Sequence, residues 1–315
     1  MLLHKPADQK YYLGISTDGL FVFFDEKKRA FSIEGNSINS YETGFEIVTS
    51  IEELIKGLPR IGARVPCLET RDYTRLMNET KLVDFSDQID EQRMKKSGDE
   101  LKNIKRACKI TSNVMGEVND HLKPGILESE LERRLKTSGL EESHGTAFDF
   151  IIASGKNSEM VHAKLKDRRI RAHDLVIVDI GFKYNDYCAD MTRTFCLKPN
   201  HQQFEKHALI MQAQEIAIRT AKKNVKFKDV NSEVKQFLQK NHVSQFMPYR
   251  VGHGIGLEVH EAPFPENEGL LPSGTCFTLE PGIHIPGFGG IRIEDDFVMR
   301  AKAKQLTDAP RELKP

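Results

Sequence analysis

The sequence predicts an α+β chain, with a large C-terminal part of helices and mostly antiparallel hairpins behind a small α/β N-terminal unit. Three observations lead there. Four helical periods follow residue 90, strand pairs lie between and after them, and in about the first 80 residues short apolar runs alternate with turns. A chain of 315 residues is long for one compact unit, so two domains are expected.

In the opening unit the runs are "YYLGIS", "GLFVFFDEKKRAFSI", "FEIVTSIEELIKGL" and "ARVPCLE". Within them "FVFFDEKKRAFSI" reads as a hairpin turning near Glu26 to Lys28, and no catalytic cluster is visible. From Val83 the composition turns charged, "VDFSDQIDEQRMKKSGDE", which reads as a linker helix and places the N-terminal domain at 1–90 and the C-terminal domain at 91–315. Ser97 and Glu100 form a capping box, after which Leu101, Ile104, Cys108, Val114, Met115, Val118 and Leu122 hold a helical period up to the stop "KPG". Further helices are expected at "LESELERRLKTSG", at about Gln202 to Lys223, and at "VNSEVKQFLQKN". No short repeat or low-complexity tract interrupts them.

Composition excludes several function classes. Lysine plus arginine equal aspartate plus glutamate at 46 each, so no overall field marks a nucleic-acid or membrane-surface binder. The basic clusters "KDRRIR" and "RTAKKNVKFK" read as solvated faces. No apolar run reaches signal-peptide length at the start or the roughly 20 residues of a membrane span anywhere, so a cytoplasmic protein is expected. Five scattered cysteines without a CxxC pair fit reduced thiols rather than disulfides or a zinc ribbon.

Two hairpins carry acids in otherwise apolar strands. In "VDIGFKYNDYCADMTRTF" a two-residue turn at Tyr184 and Asn185 pairs positions whose numbers sum to 369, setting Asp179 opposite Asp190. Opposed like charges repel, and a bound cation converts that repulsion into coordination. In "TLEPGIHIPGFGGIRIEDDF" a loop centred near Gly287 sets Glu280 opposite Glu294. Between the hairpins, "VGHGIGLEVHEAP" adds His253 and His260. Two aspartates, two glutamates and a histidine can hold two divalent cations, with carboxylates bridging ions about 3.5–4 Å apart. There is no HExxH helix, and "GHGIG" lacks the spacing of a nucleotide loop.

Together "VDIGFKYNDYCADMTRTF", "GHGIGLEVHEAP", "TLEPGI" and "GIRIEDD" resemble the signature of the pita-bread metallopeptidases, the family of methionine aminopeptidase, aminopeptidase P and prolidase. The resemblance runs from about residue 93 to 305 and implies a pita-bread C-terminal fold with Asp179, Asp190, His253, Glu280 and Glu294 as ligands of two metal ions. The carboxylate-rich set suits manganese, cobalt or zinc, with manganese or cobalt favoured. By the same resemblance His162 and His260 are the non-ligand histidines beside the scissile carbonyl, placed to hydrogen-bond it and the developing oxyanion, while Glu280 takes the proton from the attacking water. Read alone, His162 would pass for a surface or packing histidine.

"KYYLGISTDGLFVFF" and the following linker resemble the creatinase-type N-terminal domain of aminopeptidase P and prolidase, here short at its beginning. Peptides with proline at the second position are therefore the implied substrates, and a homodimer is expected. Two positions depart from the family pattern. Tyr249 stands four before His253, where proline-directed members often have histidine, and Phe264 stands where prolidases commonly keep an arginine for the dipeptide carboxylate. An apolar ring cannot grip a carboxylate, which favours longer peptides unless Arg250 or Arg292 supplies the cation. The competing readings are a creatinase-like hydrolase without metals, a methionine aminopeptidase-like enzyme, and a protein-binding module that has lost catalysis; the last should show degraded ligands.

Overall fold

The computed structural model describes residues 1–13, 22–24, 30–33, 46–48, 55–266 and 268–313, with the strands at 22–24, 30–33 and 46–48 described by backbone alone. Two units result, Met1–Arg93 and Met94–Pro315.

In the first unit the strands Leu2–Leu3, Val22–Phe24, Ala30–Ile33 and Glu46–Val48 lie in that order, the first three antiparallel and the last parallel to its neighbour. Phe24 pairs with Ala30, as a hairpin requires, and its turn at Glu26 to Lys28 lies outside the described residues. A parallel pair, Arg60–Ala63 and Lys81–Asp84, encloses the helix Thr70–Glu79. Asp8 is buried, and Arg64 at 2.6 Å and Arg93 at 2.7 Å compensate its charge.

The second unit opens on the helix Gly98–Gly116, and the Ser97–Glu100 capping box is formed in both directions. Every apolar position of the predicted period, from Leu101 to Leu122, is buried, but the helix stops at Gly116, and Val118 and Leu122 belong to a separate short helix, Val118–His121, and its C-cap. The other helices are Glu128–Leu140, His201–Thr220 and Phe227–Lys240. His201–Thr220 starts at a second capping box, Asn200 with Gln203.

These helices cover two antiparallel sheets. Ile110, Val114, Leu131 and Leu135 pack on Val176, Val178, Ile180 and Phe195 in the sheet of Ile151–Ser154, Val176–Ile180 and Met191–Phe195. Ile210, Ala217, Val234 and Leu238 pack on Phe277 and Phe297 in the sheet of Cys276–Leu279, Asp295–Met299 and Ala303–Gln305. Beyond Glu280 and Glu294 the same hairpin forms a separate two-stranded sheet, Gly282–Ile285 with Gly289–Arg292. The two sheets meet where Thr192 accepts the Glu294 N–H at 3.0 Å. Burial on both faces explains why Val176–Ile180 and Met191–Phe195 show no exposed position.

The first hairpin corrects the predicted register. Tyr184 pairs with Tyr187, and Thr192, not Asp190, lies opposite Asp179. The turn residues are Asn185 and Asp186, with φ of 47° and 68°. Such a turn needs positive φ at both central positions, which Asn and Asp tolerate and Tyr does not. Tyr184 instead stays in its strand and stacks on His144, with ring centroids 4.7 Å apart. The slip is two residues, so parity is kept and Asp179 and Asp190 still share a face. The second hairpin keeps its predicted register: Leu279 pairs with Asp295 and Gly282 with Arg292, which sets Glu280 across from Glu294.

Candidate metal centre

Asp190, Glu280 and Glu294 stand at strand ends or interruptions, where the ladder leaves room, and Asp179 stands inside its strand. Asp179 is the fourth residue of Val176–Ile180, and Asp190 immediately precedes Met191–Phe195. Glu280 follows Cys276–Leu279, and Glu294 occupies the gap between Gly289–Arg292 and Asp295–Met299. His253 arrives on a segment lying along Cys276–Leu279: Thr278 donates its N–H to the His253 carbonyl at 2.8 Å, and Glu280 donates to Val251 at 2.7 Å. That close approach explains Gly252, whose Cβ would lie 2.1 Å from the Thr278 carbonyl oxygen, while Gly254 is required by the Ala262 backbone, whose carbonyl oxygen would lie 2.2 Å from its Cβ.

His253 Nε2 lies 3.7 Å from Asp190 Oδ2 and 3.6 Å from Glu280 Oε1. One ligand atom from each of Asp190, His253 and Glu294 falls within 4.8 Å of the others. His253 Nδ1 faces the Gly254 carbonyl at 3.1 Å. A carbonyl only accepts, so this contact assigns the proton to Nδ1 and leaves the Nε2 lone pair for the cluster. Burial, reinforced by His260, pushes the His253 pKa down to about 3 and keeps the ring neutral.

The carboxylates repel. Burial pushes Asp190 and Glu280 well above the usual carboxylate range, with Glu294 adding to both, and raises Glu294 to about 8 with Asp179 the next cause. Asp179 Oδ1, Asp190 Oδ1 and Glu294 Oε1 are buried without a hydrogen-bond partner. Buried polar atoms are rarely left so. Three orphaned carboxylate oxygens around a neutral imidazole lone pair fit divalent cations, which would satisfy the oxygens and cancel the repulsion.

Supporting contacts fix the acids. Arg292 Nη2 donates to Asp179 Oδ2 at 2.5 Å, its Nε to Thr192 Oγ1 at 3.3 Å and its Nη1 to the Val161 carbonyl at 3.3 Å. Thr192 in turn donates its hydroxyl to Glu294 Oε2 at 2.7 Å. Asp296 Oδ2 accepts the Asp190 N–H at 2.9 Å. Sequence reasoning missed Thr192 and Asp296. Strand alternation places Glu294 and Asp296 two apart on one face and could have flagged the second acid; nothing local marks Thr192.

A cavity of about 560 Å³ is lined by all five of these residues together with His162, His260, Tyr249, Phe264 and Arg292. The His260 ring lies 4.2 Å from that of His253, and burial, then His162 and Arg250, lower its pKa. Tyr249 packs edge-on against His284 at 5.9 Å, and burial pushes its pKa up, so it is a neutral donor. Arg250 lies over the Phe264 ring at 5.2 Å and pairs with Glu266 at 2.7 Å.

Comparison with known proteins matches residues 102–301 to metallopeptidase family M24. The Xaa-Pro dipeptidase of Pyrococcus furiosus is 32% identical over 279 residues, covering 85% of this chain and 79% of that protein. Among solved structures, the prolidase from Pyrococcus horikoshii OT3 superposes with a TM-score of 0.91 at 29% identity, over 99% of this chain and 94% of that one. The X-Pro aminopeptidase from Thermotoga maritima MSB8 gives 0.85 at 29% identity, over 99% and 96%. The fold is the pita-bread fold of these peptidases. No helix among the described residues is long and apolar enough to cross a membrane. Since the family match spans most of the chain and takes in all five acid and imidazole positions of the cluster, this chain is a metallopeptidase of family M24.

Proposed function

We propose that the chain hydrolyses the Xaa-Pro bond at the N-terminus of peptides, using two divalent cations held by Asp179, Asp190, His253, Glu280 and Glu294. The observation that carries the metal part is the set of orphaned, mutually repelling carboxylates around His253 Nε2. Proline specificity is supported by the names of the relatives, an Xaa-Pro dipeptidase and an X-Pro aminopeptidase among them.

When bound, such ions lower the pKa of a water toward neutrality and polarise a carbonyl oxygen. The chain's residues do the rest. Glu280, whose side chain is 15% exposed, accepts the proton of the attacking water. His260, held neutral by its lowered pKa, donates to the oxyanion that develops on the scissile carbonyl, and His162 donates to the substrate carbonyl. An Xaa-Pro bond has no N–H, so recognition falls to the free amino terminus near the acids and to the proline ring in the cavity. Manganese or cobalt is the proposed metal. A cytoplasmic homodimer is the proposed state, and its dimeric term rests on the resemblance.

Arg292 serves the site through Asp179. Arg292→Leu leaves that carboxylate without its buried cation, and supporting contacts of this kind are worth about 10–100-fold in metal affinity. Metal dissociation constants of the two proteins, measured by competition with a chelator, are expected to differ by that factor; equal constants would remove Arg292 from the role.

Substrate length tests the peptide reading. The two arginines lining the cavity are engaged, Arg292 by Asp179 and Arg250 by Glu266 and the Phe264 ring. Placing a carboxylate just beyond proline without a cationic partner costs several kcal/mol, roughly. Xaa-Pro-Yaa peptides are expected to be cut at least as well as Xaa-Pro dipeptides, in kcat/KM at one metal concentration. A strong dipeptide preference that disappears in Arg250→Ala would contradict this and identify a relocated carboxylate clamp.

A further inference from the structure

His162 sits on the loop after the strand Ile151–Ser154, and that loop is tied to a carboxylate that does not line the cavity. Glu128, the first residue of the helix Glu128–Leu140, is 0% exposed. Its Oε1 accepts the Ser154 backbone N–H and hydroxyl, each at 2.6 Å, and its Oε2 accepts Asn157 Nδ2 at 3.0 Å. The same amide nitrogen donates to the Lys164 carbonyl at 3.2 Å. An amide nitrogen has two hydrogens, so one points to Glu128 and the other to a residue two past His162. One asparagine side chain thus closes the neck of the segment 157–164, and one buried carboxylate anchors that neck to a helix.

We propose that Glu128 is a positioning residue for His162, acting through Ser154 and Asn157 to set where the histidine stands at the cavity. What His162 does in turnover rests on the peptidase reading above; where its ring is held does not. Independent ties secure the loop elsewhere. The Ser158 carbonyl accepts from His284 Nδ1 at 2.9 Å, and Ser158 Oγ accepts the Gly290 N–H at 2.8 Å. Glu128→Gln therefore perturbs the neck without releasing the whole loop: it keeps the shape but turns an NH₂ toward a set of donors, so at least one of the three bonds is lost.

The test uses the full chain loaded with zinc, which is diamagnetic, and ¹³C-labelled at histidine Cε1. The His162 resonance, assigned by its absence in His162→Ala, is expected to shift or broaden in Glu128→Gln while that of His260 stays. In steady-state kinetics on an Xaa-Pro-Yaa peptide, Glu128→Gln is expected to lower kcat about tenfold, on the scale that a small misplacement costs. The loss should shrink to less than about twofold in a His162→Ala background and persist in His260→Ala, since only residues that act together are non-additive. Asn157→Ala, which opens the neck but keeps the Glu128–Ser154 bonds, should reproduce the resonance change and decides the matter if Glu128→Gln does not fold. An unmoved His162 resonance in the folded variant, or equal losses in the two histidine backgrounds, overturns the proposal. Full turnover in His162→Ala instead overturns the catalytic reading of His162, and the resonance still decides its placement.

Discussion

Glu280→Gln is expected to lower kcat by a hundredfold or more, roughly, while the protein stays folded. The side chain meets His253 Nε2 at 3.6 Å on one side and the cavity on the other, so it can both complete the ion site and take a proton. Burial and the neighbouring Glu294 raise its proton affinity, as a base working near neutrality requires. Glutamine keeps the volume and one acceptor but cannot hold the proton. The backbone bond from Glu280 to Val251 does not use the side chain, so the strand persists. His260→Ala removes a neutral donor and is expected to lose about a hundredfold on the same assay. Turnover near wild type in either variant, with far-UV circular dichroism unchanged, would mean that the roles are misassigned.

Removing the metal is expected to abolish hydrolysis and to destabilise the protein in a pH-dependent way. In the metal-free state Glu294 has its pKa raised to about 8 from the usual 4.5. A group raised in the folded state contributes stability that is present below its unfolded pKa and is lost as pH rises through the folded one. The melting temperature of the metal-free protein should therefore fall between about pH 4.5 and 8, and its gap to the manganese-loaded protein should widen to about 5 °C or more at pH 8. Differential scanning calorimetry at several pH values measures both curves. A gap that is absent at pH 8, or that narrows as pH rises, contradicts the repulsive cluster.

What was legible in the sequence is what neighbours in sequence decide. The Ser97–Glu100 box and the apolar period after it are local, and the helix forms there. The pairing of Glu280 with Glu294 follows from a short loop that contains Gly287 at a φ of 78°. The first hairpin differs by two from a turn at Tyr184 and Asn185 because positive φ falls on Asn185 and Asp186, which accept it, and Tyr184 stays paired with Tyr187. Parity rescued the face and not the partner, so Thr192, which links Arg292 to Glu294, stayed hidden. Contacts such as Arg292 to Asp179, Asp296 to Asp190 and Glu128 to Ser154 join segments brought together only by the packing of the sheets and helices. No spacing rule encodes them. The residues around the acids were therefore less legible than the acids themselves.

The most direct test of the account titrates manganese into protein shown by elemental analysis to be metal-free, following hydrolysis of an Xaa-Pro-Yaa peptide beside an Xaa-Ala-Yaa control. The predicted result is no cleavage at the start, a rise in Xaa-Pro cleavage that levels off as two ions bind per chain, and no comparable rise for the control. Full Xaa-Pro cleavage before any metal is added would contradict it.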